Sequence, residues 1–456
     1  MNLNPLPQKT PLIAYYGDDL TGSTAVMEVT AFAGLDTVLF LDIPDSKRLN
    51  DFPNARVIGI AGDARARSPE WMKNNLPSFF QCLKSTGAPI IHYKVCSTFD
   101  SSPQIGSIGK AAEIGKNYFS VPIPMLIGDL GMGRYQCFGN LFALSNNIAY
   151  RIDRHPVMSR HPVTPMDEAD VVLHLKRQTD LKIGLVDYVS LHRGTAIQLI
   201  EKHIESAIDI LAFDMLDDLS LIEAGKLIWN QSGSQRFCIG SQGLVRALVT
   251  YWQNQNLLAQ SLSSPGFSPC SQLLAVSGSV SPTTAAQIIH ARHSGFATFS
   301  LDLATIMNPA SWQESGEIIF KKAINALQQG KDVLIYSALG PDDITVKQFK
   351  SIIQSDVELT DNLNQQIGNM LGQLADRLMR AHKVPRLVIS GGDTSGRVAR
   401  VLGIDALTVL APIAPGSPLC RAYCTSSPHH GVELVLKGGQ VGDEDFFIRA
   451  KSGAAS

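Results

Sequence analysis

Two turns of similar design, near opposite ends of the chain, carry residues suited to chemistry. Gly17–Gly22 reads Gly-Asp-Asp-Leu-Thr-Gly after the apolar segment 12–16, and Ser390–Gly396 reads Ser-Gly-Gly-Asp-Thr-Ser-Gly after the apolar segment 387–389. A turn from a strand into a helix leaves free backbone N–H groups, which bind anions. The carboxylates of the first turn suit hydroxyls, a proton or a metal, whereas the glycines and hydroxyls of the second suit a polyphosphate. Together the turns predict phosphoryl transfer to a polyhydroxy substrate, although each alone is equally compatible with simple helix capping.

Cationic and hydroxyl side chains follow two further predicted strands of the N-terminal half. Lys94, Ser97 and Thr98 follow one of them, and Arg65 and Arg67 follow the other. Ligands of open α/β sheets bind outside the carboxyl ends of the strands, so these groups are expected beside the first turn. The cations would neutralise a substrate carboxylate, and the hydroxyls would bond sugar hydroxyls. A solvated loop and a surface ion pair are the alternative interpretations.

The C-terminal half holds two more segments of small and polar residues. Ser277–Ser281 is rich in hydroxyls and follows an apolar run, which is compatible with lining a nucleotide. Lys437–Asp445 combines three glycines with an acidic group. Mg²⁺ is commonly held by one or two carboxylates together with phosphate oxygens, so this segment is a candidate for Mg²⁺. A solvated turn is the alternative.

Length and composition exclude several classes of protein. With 456 residues the chain is too long for one ordinary core, so two domains are expected. A hydrophobic content of 45% and a charged content of 18% are typical of a globular enzyme. The net charge of -2 and the lack of long basic or apolar runs disfavour nucleic-acid and membrane partners. Seven scattered cysteines and a polar N-terminus predict free thiols and a cytoplasmic location.

Short apolar runs alternate with longer amphipathic stretches, which predicts an α/β fold. Such alternation is typical of two domains, each with a mostly parallel sheet flanked by helices. The serine- and proline-rich segment 261–271 is uncharged and is predicted to link an N-terminal domain, 1–260, to a C-terminal domain, 272–456. The active site is expected in the cleft between the domains. The predicted helices include 134–146 and 190–206.

The motifs, in this order, resemble those of the four-carbon acid sugar kinases. The resemblance rests on five segments: Gly17–Gly22, His161–Pro165, Ser277–Ser279, Gly391–Gly396 and Lys437–Phe447. It implies that the N-terminal domain binds a sugar acid and that the C-terminal domain binds ATP. The implied reaction is phosphorylation of the terminal hydroxyl of threonate, erythronate or 3-oxo-tetronate. By position, it implies ATP contacts at Ser279, Gly391, Gly392, Asp393, Thr394 and Gly439.

One segment departs from the family pattern. Many members carry Asp-Ser-Thr-Leu-Arg-Gly where this chain has Cys-Ser-Thr-Phe-Asp-Ser at Cys96–Ser101. The arginine is replaced by Asp100, so the identity of the substrate stays open.

The sequence therefore predicts a kinase for a small sugar acid that uses ATP and Mg²⁺. The acid-binding candidates are Asp18, Asp19, Arg67, Lys94, Ser97 and Thr98. Among these, Asp19 is the first choice for aligning or deprotonating the attacking hydroxyl, and Asp18 is the second. The sequence identifies no metal ligands, and a homodimer is compatible with it.

Two other functions remain open from the sequence alone. Sheets with glycine turns also bind dinucleotides, so a nicotinamide-dependent oxidoreductase of a small hydroxy acid is one alternative. The other is a regulator that binds a metabolite without turnover. A titration that compares NADH with ATP would distinguish the oxidoreductase from a kinase. An assay of ADP release would distinguish the regulator from a kinase.

Overall fold

The computed structural model describes residues 6–7, 10–145, 147–161, 163–231, 235–260, 266–353 and 357–453. The chain divides into two compact units, Met1–Leu262 and Ser263–Ser456. The first five residues of the predicted linker, 261–265, lie outside the described residues. The predicted domain boundaries and the predicted active site between the domains therefore stay predictions.

Unit 1 contains a parallel sheet and a small antiparallel one. Its strands are β1 (Ile13–Gly17), β2 (Thr37–Phe40), β3 (Val57–Ala61), β4 (Ile90–Lys94), β5 (Ile123–Leu126), β6 (Arg134–Cys137), β7 (Asn140–Ser145), β8 (Ile148–Arg151), β9 (Ile183–Val186), β10 (Ile210–Phe213) and β11 (Arg236–Gly240). The strands of the parallel sheet lie in the order β2-β3-β1-β4-β11-β5-β10-β9, and β6, β7 and β8 form the antiparallel sheet.

Helices flank the parallel sheet of unit 1. They are α1 (Leu20–Phe32), α2 (Ser46–Asn50), α3 (Pro69–Ser85), α4 (Ile108–Lys116), α5 (Val171–Lys176), α6 (Tyr188–Arg193), α7 (Ala196–Glu205), α8 (Asp218–Asn230) and α9 (Gln242–Asn254). The ring of Phe80 on α3 lies 5.1 Å from that of Phe237 on β11 and 6.1 Å from that of Tyr93 on β4. All residues of β1, β3 and β4 are buried, as expected for parallel strands covered by helices.

Unit 2 repeats this architecture with an antiparallel edge. Its strands are β12 (Leu273–Ser277), β13 (Ala297–Ser300), β14 (Val333–Tyr336), β15 (Arg386–Ser390), β16 (Ala406–Ala414), β17 (Ser417–Tyr423) and β18 (Glu433–Lys437). They lie in the order β13-β14-β12-β15-β18-β17-β16, and only the pairs made by β17 are antiparallel among the described residues of this unit. The helices are α10 (Pro282–His293), α11 (Pro309–Gln328), α12 (Ile344–Ile353), α13 (Val357–Ala381), α14 (Gly392–Val401) and α15 (Phe446–Ser452).

The predicted α/β fold with mostly parallel sheets is confirmed, but two predicted helices are wrong. Residues 134–146 were expected to be helical, yet the described part of this range forms the hairpin β6–β7. Phe138 and Gly139 turn the chain with φ angles of 49° and 75°, which a helix cannot contain. The predicted helix 190–206 is broken, because Gly194 ends α6 in the left-handed region and α7 begins at Ala196.

Several helices have no counterpart in the prediction. The clearest is α8, which begins behind a capping box in which Asp217 accepts from the backbone of Ser220 and the Ser220 side chain accepts from the backbone of Asp217. The short helices α2, α12 and α15 were also missed.

Candidate functional site

Three turns of unit 1 emerge side by side because their strands end in register. Gly17 at the end of β1 pairs with Ala61 on β3 and with Lys94 on β4. The segments that follow these strands therefore share one edge of the sheet. They bring together the residues that we call the carboxylate cluster: Asp18, Asp19, Arg65, Lys94 and Asp100.

Asp19 holds the start of α1 and approaches Lys94. Its Oδ1 accepts a hydrogen bond of 2.8 Å from the backbone N–H of Gly22. A Cβ on Gly22 would lie 2.3 Å from Asp19 Oδ1 and 2.6 Å from Lys94 Nζ. Only glycine leaves room for this carboxylate and this ammonium, and the Lys94 side chain is buried there.

Arg65 joins two carboxylates of the cluster. Its Nη2 and Nε donate to Asp100 Oδ2 over 2.6 and 3.2 Å, and its Nη1 donates to Asp19 Oδ2 over 3.4 Å. Asp100 also accepts from Thr98 Oγ1 at 2.5 Å and from Thr164 Oγ1 at 3.3 Å. Burial alone would raise the pKa of Asp100, but Arg65 and the Thr98 hydroxyl lower it overall. Asp100, the residue that departs from the family pattern, is therefore a buried anchor for Arg65.

Asp18 is the carboxylate of the cluster with unused hydrogen-bonding capacity. It is buried, and its Oδ1 has no hydrogen-bond partner among the described residues. Burial raises the pKa of Asp18 from 3.8 to about 7; the charges of Asp19 and Asp100 raise it too, and those of Lys94 and Arg65 oppose the rise. A buried carboxylate with a free oxygen and a pKa near 7 has the properties of a general base at neutral pH.

Of the other predicted acid-binding residues, one lies outside the carboxylate cluster and two are buried in the segment that follows β4. Arg67 lies outside the carboxylate cluster, since it pairs with Asp63 and covers the ring of Trp71 at 5.4 Å. Ser97 and Thr98 are buried beyond the end of β4.

The His161–Pro165 motif adjoins the carboxylate cluster through a threonine. His161 Nδ1 accepts from the backbone N–H of Thr164 over 3.1 Å, and the Thr164 hydroxyl reaches Asp100. Burial lowers the pKa of His161. Pro162, also part of this motif, lies outside the described residues.

Arg134 is a cation that the sequence did not single out as a site residue. It begins β6 behind the glycine-rich turn that follows β5, and its Nη1 donates to the carbonyl of Met132 over 2.8 Å. Its Nε is buried and has no partner among the described residues. Gly240 on β11 pairs with Lys94 on β4 and with Leu126 on β5, so the turn that leads to Arg134 leaves the same sheet edge as the carboxylate cluster. The signal in the sequence was an arginine that ends a strand-edge turn.

In unit 2 the predicted nucleotide contacts come together at one sheet edge. Ser277, Ser390 and Lys437 end three neighbouring strands and lie in register. The turns that follow carry the residues that we call the glycine cluster: Ser279, Gly391, Gly392, Asp393, Thr394 and Gly439.

Close approaches in the glycine cluster require residues without a Cβ. A Cβ on Gly439 would lie 2.8 Å from Ser279 Oγ, and one on Gly278 would lie 2.1 Å from Thr394 Oγ1. Gly391 has a φ of 116°, which L side chains rarely adopt. It directly precedes α14, whose first turn also contains the exposed Asp393. Free N–H groups, hydroxyls and glycines in this arrangement form a cradle that fits phosphate groups.

Two kinds of feature are missing from the described ranges of the chain. No group of three or more His, Cys, Asp or Glu side chains there is placed to hold a metal ion. None of the helices described is both long enough and apolar enough to cross a membrane.

Comparison with known proteins agrees with this division of the site. A family model described as a sugar-binding N-terminal domain matches residues 13–248, and one described as a nucleotide-binding C-terminal domain matches residues 274–447. A crystal structure of a protein from Salmonella typhimurium LT2 matches 96% of this chain and 98% of its own, with a TM-score of 0.77 and 22% identity, which shows a shared fold.

Two curated relatives match along nearly the whole chain. A 3-oxo-isoapionate kinase of Paraburkholderia graminis is 44% identical over 443 residues, which cover 97% of this chain and 94% of that protein. A 3-oxo-tetronate kinase of Cupriavidus necator is 29% identical over 454 residues, which cover 96% of each. With both domain models matched in order and a relative of this identity, the chain belongs to the four-carbon acid sugar kinase family.

Proposed function

We propose that this protein uses ATP to phosphorylate a hydroxyl group of a 3-oxo sugar acid. The observation that carries the proposal is Asp18, a buried carboxylate with a free oxygen, in the unit that matches the sugar-binding domain. Unit 2 supplies the glycine cluster, which fits the phosphates of a nucleotide. Kinase activity is common to the curated relatives reported above.

The chemistry follows from what each group has free. Asp18 accepts the proton of the substrate hydroxyl, and the oxygen of that hydroxyl forms a bond to the γ-phosphorus of ATP. The bond between this phosphorus and the oxygen that bridges it to the β-phosphate breaks, which releases ADP. Asp19 is already engaged by Gly22 and Arg65, so we assign it to alignment rather than to proton transfer. This assignment reverses the order of preference that the sequence suggested.

The substrate carboxylate needs a cation whose charge is not already used. Arg65 is engaged by two carboxylates, Arg67 pairs with Asp63, and the Lys94 ammonium shares the space beside Gly22 with the Asp19 carboxylate. Arg134 has a buried donor without a partner, so we assign the carboxylate to it. A charged hydrogen bond of this kind contributes about 1.5–3 kcal/mol.

The curated relatives narrow the choice of substrate. The relatives named above act on 3-oxo-isoapionate and on 3-oxo-tetronate, and the relative with 44% identity favours 3-oxo-isoapionate for this chain. Mg²⁺ is proposed to accompany the nucleotide, because an ion held largely by phosphate oxygens needs only one or two carboxylates. A cytoplasmic location and a homodimer stay predictions.

The direct test is a screen of ADP release with purified protein. The acceptors are 3-oxo-isoapionate, 3-oxo-tetronate, threonate, erythronate and the neutral alcohols erythritol and threitol, with the Asp18→Asn variant as the control for contaminating kinases. We expect a 3-oxo acid to be the best acceptor. Release of ADP with no acid, or equal turnover of the neutral alcohols, would contradict the proposal. A titration with NADH tests the oxidoreductase alternative, which requires binding of NADH in preference to ATP.

A further inference from the structure

Lys437 is a buried cation beneath the glycine cluster. It ends β18, and its side chain is inaccessible to solvent. Its Nζ donates to Thr284 Oγ1 and to the carbonyl of Gly438, both at 3.0 Å, and to Ser390 Oγ at 3.4 Å. All three acceptors are neutral, so the ammonium has its hydrogen bonds but no negatively charged partner.

No anionic side chain in the described part of the chain compensates that charge. No carboxylate forms an ion pair with Lys437 there, and the elements packed on it present Thr284 from α10, Ser390 from β15 and the ring of Phe446 from α15. Burial lowers its pKa to about 7, and no neighbouring charge contributes to the shift. A buried ammonium without a counter-charge is costly, and groups with strongly shifted pKa values cluster at functional sites.

The three acceptors of Lys437 lie on or beside the three turns of the glycine cluster. Ser390 directly precedes Gly391, and Gly438 directly precedes Gly439. Thr284 stands in the first turn of α10, and its hydroxyl donates to the carbonyl of Gly439 over 2.8 Å. Lys437, the Thr284 hydroxyl and Gly439 thus form one chain of hydrogen bonds. Moving the ammonium would shift all three turns.

We infer that Lys437 is a positioning residue of the nucleotide site: its ammonium ties the three turns together, and its uncompensated charge attracts the phosphates. The inference rests on the proposed nucleotide binding by unit 2. Lys437 need not touch the nucleotide, because its hydrogen bonds already end on the turns. Its contribution is to hold their backbone N–H groups in place and to make the local potential positive.

The test compares Lys437→Met with Lys322→Met, which removes an exposed lysine from α11. Affinities for ATP and ADP are measured by calorimetry on the full chain, and KM is measured separately for ATP and for the acid. We expect Lys437→Met to weaken ATP and ADP binding by about 10-fold or more, with KM for the acid unchanged. Lys322→Met should resemble the wild type.

A second readout distinguishes this inference from a merely structural role. Phosphate charge should raise the pKa of Lys437, so nucleotide binding at about pH 8 should take up protons, measurable as a dependence of the binding enthalpy on the buffer. Lys437→Met should lose this uptake. Thr284→Val keeps the ammonium but cuts its link to Gly439, so it should weaken ATP binding less while retaining the uptake; it also serves if Lys437→Met does not fold.

The outcomes separate the inference from the proposed function. Unchanged ATP affinity in folded Lys437→Met, an equal loss of acid affinity, or proton uptake that persists in this variant would overturn the inference. If the wild type binds ATP but phosphorylates no acid, the proposed function fails while the Lys437 comparison still applies. If the wild type binds neither ATP nor ADP, both are overturned.

Discussion

The carboxylate cluster and the glycine cluster share one backbone arrangement but differ in their side chains. Each lies at the carboxyl ends of neighbouring parallel strands, where turns lead into helices. The first combines three carboxylates with Arg65 and Lys94, and leaves one oxygen of Asp18 free. In the second, Lys437 is buried among neutral groups, and the turns around it carry glycines and hydroxyl side chains. The comparison indicates that side chains, not topology, set the chemical character of such an edge.

The largest effect on the carboxylate cluster is expected from a substitution of Asp18. Asp18→Asn keeps the shape and removes the base, so kcat should fall by about 100-fold or more. Asp19→Asn, the matched variant, can still cap α1 and should lose less activity, because Asp19 is assigned to alignment. Steady-state rates with the best acid provide the measurement. If Asp19→Asn is the inactive variant and Asp18→Asn keeps turnover, proton transfer belongs to Asp19.

A second prediction tests the anion preference of the glycine cluster. Gly392→Val places a branched side chain at the first residue of α14, where the phosphates are expected, so ATP affinity should fall by about 10-fold or more while acid affinity is kept. Gly396→Ala is the control in the same helix, since a Cβ there meets nothing within 4 Å. Calorimetry on both variants decides. Normal ATP binding by folded Gly392→Val would remove this turn from the nucleotide site.

The third prediction asks which cation of unit 1 receives the substrate carboxylate. The enzyme should prefer the acid over a neutral alcohol of equal length by about 10–150-fold, the value of one charged hydrogen bond. Arg134→Met should narrow that preference, measured as the ratio of kcat/KM values. Arg67→Met is the counterpart and should leave the ratio unchanged. Loss of the preference in Arg67→Met alone would contradict the assignment to Arg134 and restore one of the three cations that the sequence suggested.

The smallest expected effect is a change of stability with pH. The pKa of Asp18 in the folded protein is raised to about 7 from 3.8, so its protonated form is favoured by folding. The contribution of Asp18 protonation to the free energy of unfolding is fully present below about pH 4 and is lost as the pH rises through about 7. Asp18→Asn should therefore have a Tm that exceeds the wild-type Tm by a few °C at pH 8, with the gap closing towards pH 4. A gap independent of pH would show that Asp18 is ionised throughout this range.

Much of the architecture could be read from local patterns. The alternation of apolar runs and amphipathic stretches predicted the parallel strands, since buried strands must be apolar on both faces. The turns Gly17–Gly22 and Ser390–Gly396 were placed correctly at strand ends, because glycine and acidic residues punctuate such transitions. The hairpin at 134–145 was missed because its turn depends on the positive φ angles of Phe138 and Gly139, which composition does not reveal.

The sequence by itself determined that two strand-edge turns, one acidic and one glycine-rich, stand in two α/β domains of a sugar acid kinase. Only the tertiary structure decided which charges are free. Arg65 and Arg67 leave the same strand two residues apart, yet Arg65 meets Asp100, which is 35 residues away, and Arg67 meets nearby Asp63. Asp18 and Asp19 are adjacent, but only Asp18 keeps an unpartnered oxygen. Such pairings depend on how distant segments pack and on the direction in which each side chain leaves its turn, and neither is encoded in local spacing.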